Sequence, residues 1–120
     1  MNKVQTLNEF WNGFGLKAYD ENGVPDGTSL PYITYETIVD SFGYPTAQTA
    51  SIWYRSSRWV EVTEKEMQIA DFIGRGGRML AYTGGAMWIK MANPWAQRMT
   101  DASDDMVKRI ILNVEIEFID

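Results

Sequence analysis

The run from about Met106 to Phe118 constrains the fold more than any other part of this chain. Ile110, Leu112, Val114, Ile116 and Phe118 alternate with Arg109, Ile111, Asn113, Glu115 and Glu117. A period of two puts the first set on one face of an extended strand and the second set on the other. The first face is wholly apolar and demands a covering layer, whereas the second is largely polar. That pattern suits an antiparallel sheet covered on one side, with helices as the second layer. The strand is expected to begin near Met106.

The rest of the chain supplies pieces of matching kind. Val4, Leu7, Trp11 and Phe14 recur at 3-4-3 spacing with Phe10 alongside, one face of an amphipathic helix that Gly13 and Gly15 stop. Residues 16–30 carry Asn22-Gly23, Pro25 and Asp26-Gly27, a long arm with two turn signals and a short extended piece at Leu16–Tyr19. Pro31 opens YITYETIVDSF, rich in β-branched and aromatic residues, as a first strand. ASIWYRSS at 50–57 forms a second, with Ile52 and Tyr54 on one face and Trp53 and Arg55 on the other.

Thr63 followed by Glu66 is a capping-box pattern and predicts a helix starting there. It carries Met67, Ile69, Ala70, Phe72 and Ile73 and stops at Gly74, Gly76 and Gly77. Residues 78–82 and 86–91 form a hairpin across Gly84-Gly85, with Met87, Ile89 and Met91 facing the core. Asn93-Pro94 then begins an irregular stretch ending at Asp101–Asp105. The expectation is a single α+β domain over 1–120: a mixed, mainly antiparallel sheet with two helices packed on one face.

Composition narrows the chemistry. The 120 residues include no histidine and no cysteine, and 16 acids against 11 bases give a net charge of −5. The usual base for a serine nucleophile is therefore missing, and so is thiol chemistry. An acidic chain also lacks the basic surface that a generic grip on nucleic acid needs. No apolar run approaches the roughly 20 residues of a membrane span. The segment MNKVQTLNEFW is amphipathic and carries Glu9, unlike a secretory leader. A soluble protein made in a cytoplasm is expected.

Several motifs read more simply than their suggestive forms. GRGGR at 74–78 lacks the Lys-Ser/Thr of a phosphate loop and follows a helix, so it is a helix stop. Asp101, Asp104 and Asp105 lack the glycine and glutamate of a calcium loop, which favours a solvated turn over a metal site. Glu64 and Glu66 belong to a helix start, and Glu36, Asp40 and Glu61 match no two-carboxylate hydrolase pattern. Trp53, Tyr54, Arg55, Arg58 and Trp59 interleave aromatic and basic residues, as single-strand stacking platforms do. With a net charge of −5, a protein–protein contact is the preferred reading, since Trp, Tyr and Arg dominate such contacts.

The order GLKAYDENGVPDGTSLPYITY, a Trp-Tyr strand, a capped helix, a Gly-Gly hairpin and NPWAQRMTDASDDMVKRIILNVEIEF resembles the tail-terminator proteins of long, non-contractile-tailed phages and prophages. The likeness covers almost the whole chain. Its motifs are PYITY at 31–35 and the run Pro94-Trp95, Arg98-Met99, Asp105 and Lys108-Arg109. The resemblance implies a small α+β protein that forms a hexameric ring on the last tail-tube ring. Such a ring stops tube growth, offers a docking surface to the DNA-filled head and its connector or stopper, and leaves a lumen through which DNA passes. It implies a place in the virion, at the head-proximal end of the tail, with no enzyme activity, no cofactor and no membrane. Interface candidates are Trp53, Arg55, Arg58, Trp59, Trp88, Trp95 and Arg98. Glu115 and Glu117, on the polar face of the last strand, are lumen candidates, and the arm at 16–30 and the loop at 92–105 are candidate tube or head contacts. The alternatives are a head–tail connector, stopper or tail-completion protein and, more remotely, a nucleic-acid-binding module using residues 53–59.

Overall fold

The computed structural model describes residues 1–120 and has the α+β architecture expected. Helix α1 (Lys3–Trp11) starts at a capping box that is local to the sequence: Asn2 accepts from the Gln5 amide while Gln5 accepts from the Asn2 amide. A 3-10 turn (Asn12–Phe14) ends the helix, and Gly15 closes it at φ 82, a left-handed conformation that glycine adopts without strain. Leu7, Phe10, Trp11 and Phe14 are buried. Val4, expected on the same stripe, is 48% exposed.

The strands β1 (Ala18–Asp20), β2 (Tyr32–Tyr35), β3 (Thr46–Arg55), β4 (Arg78–Tyr82), β5 (Gly85–Thr100) and β6 (Val107–Ile119) form one sheet in the order β1-β2-β3-β6-β5-β4. Only β1 and β2 pair in parallel. The period-two strand therefore lies at the sheet centre, paired along its length with β3 and β5. Its apolar set is buried under the helices, and with Ile33, Ile52, Met87 and Ile89 it forms the sheet side of the core.

The second strand, expected at 50–57, runs from Thr46 to Arg55 because Thr46–Thr49 find partners on β6, and three further expected elements differ from those observed. The first strand stops at Tyr35 rather than continuing to Phe42, because Glu36 turns back to accept from both the amide and the hydroxyl of Thr49. Residues 37–45 then leave the sheet. Helix α2 (Val60–Ile73) begins three residues before Thr63, with Trp59 at its N-cap and no side-chain cap. The Thr63 amide already donates to the Trp59 carbonyl at 3.0 Å, so Thr63 is a first-turn residue and no capping box forms there.

The third difference is the largest. Asn93-Pro94 does not end β5. The register shifts between Met91 and Ala96, and pairing with β6 resumes from Ala96 to Thr100. A bulge accommodates the proline's missing donor, and the unbroken β6 supplies a partner on the far side. The short extended piece near Leu16–Tyr19 proves to be β1, moved by one or two residues.

Candidate interaction surface

Both helices pack on one face of the sheet, and nothing covers the other. Cross-strand register arranges the open face in rows. One row is Tyr32, Trp53, Arg109 and Met99, across β2, β3, β6 and β5. The next is Tyr19, Thr34, Ser51, Ile111 and Gln97, across β1 to β5. At the far end of β6, Glu115 is opposite Lys90 and Glu117 opposite Trp88.

Within the first row the side chains hold one another. The Arg109 guanidinium lies 4.4 Å from the Trp53 ring centroid and its Nε donates to Ser51 Oγ at 3.1 Å. Trp53 Nε1 donates to Thr34 Oγ1 at 2.9 Å. Tyr32 meets Trp53 at 6.5 Å and Tyr19 edge-on at 5.8 Å. Partial burial lowers the Arg109 pKa from the usual arginine value, although a guanidinium remains charged at neutral pH. A depression of about 270 Å³ beside Trp53 and Arg109 is closed by Met99, Thr100, Asp101, Ala102 and Val107. The row is a pre-ordered aromatic and cationic surface, of the composition that anchors protein contacts.

The interface candidates do not form one patch. Trp53, Arg55 and Trp88 belong to the open face. Trp88 packs under Lys90, whose Nζ is 4.2 Å from its ring, and donates to the Gly76 carbonyl at 2.9 Å. Arg55 pairs with Asp104 at 2.8 Å. Arg58, in the connection to α2, lies 3.5 Å from Glu61. Trp59, Trp95 and Arg98 sit on the helix side instead. Arg98 and Lys108 both approach the Trp59 ring, at 4.9 and 5.8 Å. Trp95 donates to Glu66 at 3.0 Å and Arg98 to Thr63 at 3.4 Å. These three strap the far half of β5 to α2. Glu115 and Glu117 lie on the open face, half-buried, and neither forms an ion pair.

Arg109 and Tyr32 are central to the open face, yet neither was an interface candidate. The signal was available: Arg109 is the only base on the polar face of the period-two strand. What the sequence lacks is the register that sets it against Trp53.

The acidic turn between β5 and β6 is built by its own carboxylates. Asp101 accepts from the amide and hydroxyl of Ser103, and Asp104 accepts from the Met106 amide and from Arg55. These bonds lower both pKa values, led by the Ser103 hydroxyl for Asp101 and the Met106 amide for Asp104. The Thr37 hydroxyl does the same for Asp20, and Lys3 for Asp120. A carboxyl with a depressed folded-state pKa contributes stability above its unfolded value, near 4, and loses it as pH falls through the folded value. Thermal unfolding is therefore expected to be insensitive to pH between about 7 and 5 and to shift to lower temperature progressively below about pH 4. Lys3 runs the other way: bonding to Asp120 raises its pKa, so its contribution fades only at strongly alkaline pH. Unfolding temperatures that rise between pH 5 and pH 3 would contradict these bonds.

No helix is long and apolar enough to cross a membrane. No group of three or more carboxylates is arranged to hold a metal ion. No protein-family model, curated protein or solved structure matches the chain.

Proposed function

We propose that this chain is a phage tail terminator, a subunit that closes into a ring on the end of a tail tube, stops the tube's growth and receives the head. The reading rests on the sequence likeness at PYITY and over 93–118, together with one structural observation: a sheet covered on one face and open on the other, where Tyr32, Trp53 and Arg109 stand in register. Half-buried aromatic and cationic side chains held by their neighbours lose little freedom on contact, which favours association.

Termination requires one surface that copies a tube-to-tube contact and another that cannot continue it. A subunit with two unlike faces meets that requirement. A ring follows when the contact between copies is head-to-tail with a rotation that closes. The net charge of −5 suits a passage that DNA crosses without adhering, and Glu115 and Glu117 are the carboxylates proposed to line it.

Particles assembled without this chain test the proposal. Tubes of uncontrolled length, together with filled heads that carry no tail, are the expected products, counted by electron microscopy. Tails of normal length beside leaking heads would assign the chain to a connector or stopper instead. Normal infectious particles would end both readings.

A further inference from the structure

The sheet has two edges, and they are treated differently. The outer edge of β1 is closed by side chain and turn. Asn12 accepts from the Ala18 amide at 2.9 Å and donates to the Ala18 carbonyl at 3.3 Å, while the Asp20 carbonyl accepts from the Gly23 amide at 2.8 Å. The edge at β4 is open. Tyr82 and Gly85 close the hairpin as a bonded pair, so Leu80 and Arg78 direct their amides to β5 and Met79 and Ala81 direct theirs outward. A groove of about 410 Å³ runs along this free edge and is walled by Phe10, Phe14, Phe72 and Leu80.

The same chain carries a segment suited to that groove. Residues 37–45 make no backbone-to-backbone hydrogen bond. Phe42 is 74% exposed and Tyr44 is 93% exposed. The two are spaced by two, so in an added strand both rings point to one side. Asp40 falls on that side as well. At the β4 start the Arg78 guanidinium donates to the Phe72 carbonyl, lies 4.2 Å from the Phe72 ring and pairs with no carboxylate, while Glu9 lines the α1 side of the groove. Neither Phe42 nor Tyr44 fills the groove of its own chain, because the Lys3 ammonium holds the Asp40 carbonyl at 2.6 Å and both rings stand in solvent.

We infer that the β4 edge and its apolar groove receive residues 38–45 of a second copy of this chain, which adds a strand and seats Phe42 and Tyr44 among Phe10, Phe14 and Phe72. Donor and acceptor are different patches of one subunit, so the contact is head-to-tail and generates a ring or an open series. Backbone pairing supplies affinity, and the two rings supply the choice of segment. The inference deepens the ring proposed above by naming one of its contacts.

The test uses the full chain at a concentration where it is monomeric, titrated with a synthetic peptide of residues 37–46 and followed by NMR and amide exchange. Exchange of the Met79 and Ala81 amides is expected to slow at least tenfold at saturation, with shifts at Phe10, Phe14 and Phe72. A peptide with alanine in place of Phe42 and Tyr44 should bind at least tenfold more weakly. In the chain itself, Met79→Pro removes an outward amide and should abolish peptide binding while leaving the fold intact by circular dichroism. Saturating peptide that leaves both amides unprotected overturns the inference, as does protection by a tail-tube segment in place of this one. Rings that form equally well from the Phe42→Ala/Tyr44→Ala chain overturn it too, while leaving the terminator proposal standing. A chain that never assembles on tubes yet binds the peptide would do the reverse.

Discussion

Replacing Gly77 with alanine is expected to remove on the order of 3 kcal/mol of stability and to lower the unfolding midpoint by roughly 10 °C. Gly77 has φ 85, which alone costs an L-residue about 1–2 kcal/mol. The added Cβ would also lie 2.5 Å from Trp88 Nε1, 2.7 Å from the Ile89 carbonyl oxygen and 2.8 Å from Lys90 Cγ. The Ile89 oxygen belongs to the central part of β5 and the indole is bonded to Gly76, so neither can retreat freely. Gly76→Ala is the control, since a Cβ there meets nothing within 4 Å. Thermal unfolding of both variants decides the matter. Equal midpoints would show that the turn is plastic and that Trp88 is not seated on it.

The second large effect lies in the core. Trp11 is 2% exposed and fills the space between α1 and the sheet, stacked on Tyr35 at 6.4 Å and edge-on to Phe10 at 4.8 Å. Trp11→Ala should cost about 3–5 kcal/mol, since both the apolar transfer and the cavity count. Domains of this size have only about 5–15 kcal/mol to lose. Val4→Ala, from the same helical stripe but half exposed, should change stability by less than about 0.5 kcal/mol. Chemical denaturation measures both. A small loss at Trp11 would mean that α1 docks loosely and the two-layer description is too rigid.

How much of this was legible beforehand follows from the range of the forces involved. The β6 alternation and the α1 stripe are local periodicities, and both predict their buried faces correctly apart from Val4. The Gly-Gly hairpin and the glycine stop after α2 are local as well, and Gly84 and Gly74 have the positive φ that such positions need. Misreadings arise where a distant partner decides. Asn93-Pro94 breaks an isolated strand, but β6 holds β5 in place across it. Thr63 and Glu66 form a capping pattern, yet the turn from Trp59 starts the helix earlier, and Glu66 is used by Trp95 instead. YITYETIVDSF has the composition of one long strand, but Glu36 is drawn to Thr49 and the segment leaves the sheet.

The candidate surface was half readable for the same reason. Aromatic and basic residues around Trp53 stand out by composition alone. Whether each faces outward depends on strand parity and, past the β5 bulge, on where the register resumes. That shift puts Arg98 on the helix side with Trp59, although its residue type suggests an exposed anchor. Trp95, inside the shifted stretch, also turns to the helix side and donates to Glu66, while Arg109 takes the outward place.

The amide group of Asn12 imitates one residue of a neighbouring strand, and it does so from within the same molecule. A sheet with two bare rims can recruit copies without end, the route by which edge-exposed proteins precipitate as fibrils. Here one rim is already occupied, so an incoming strand has only the β4 rim to join. A few atoms at the end of the first helix thus close one of the two routes to lateral growth.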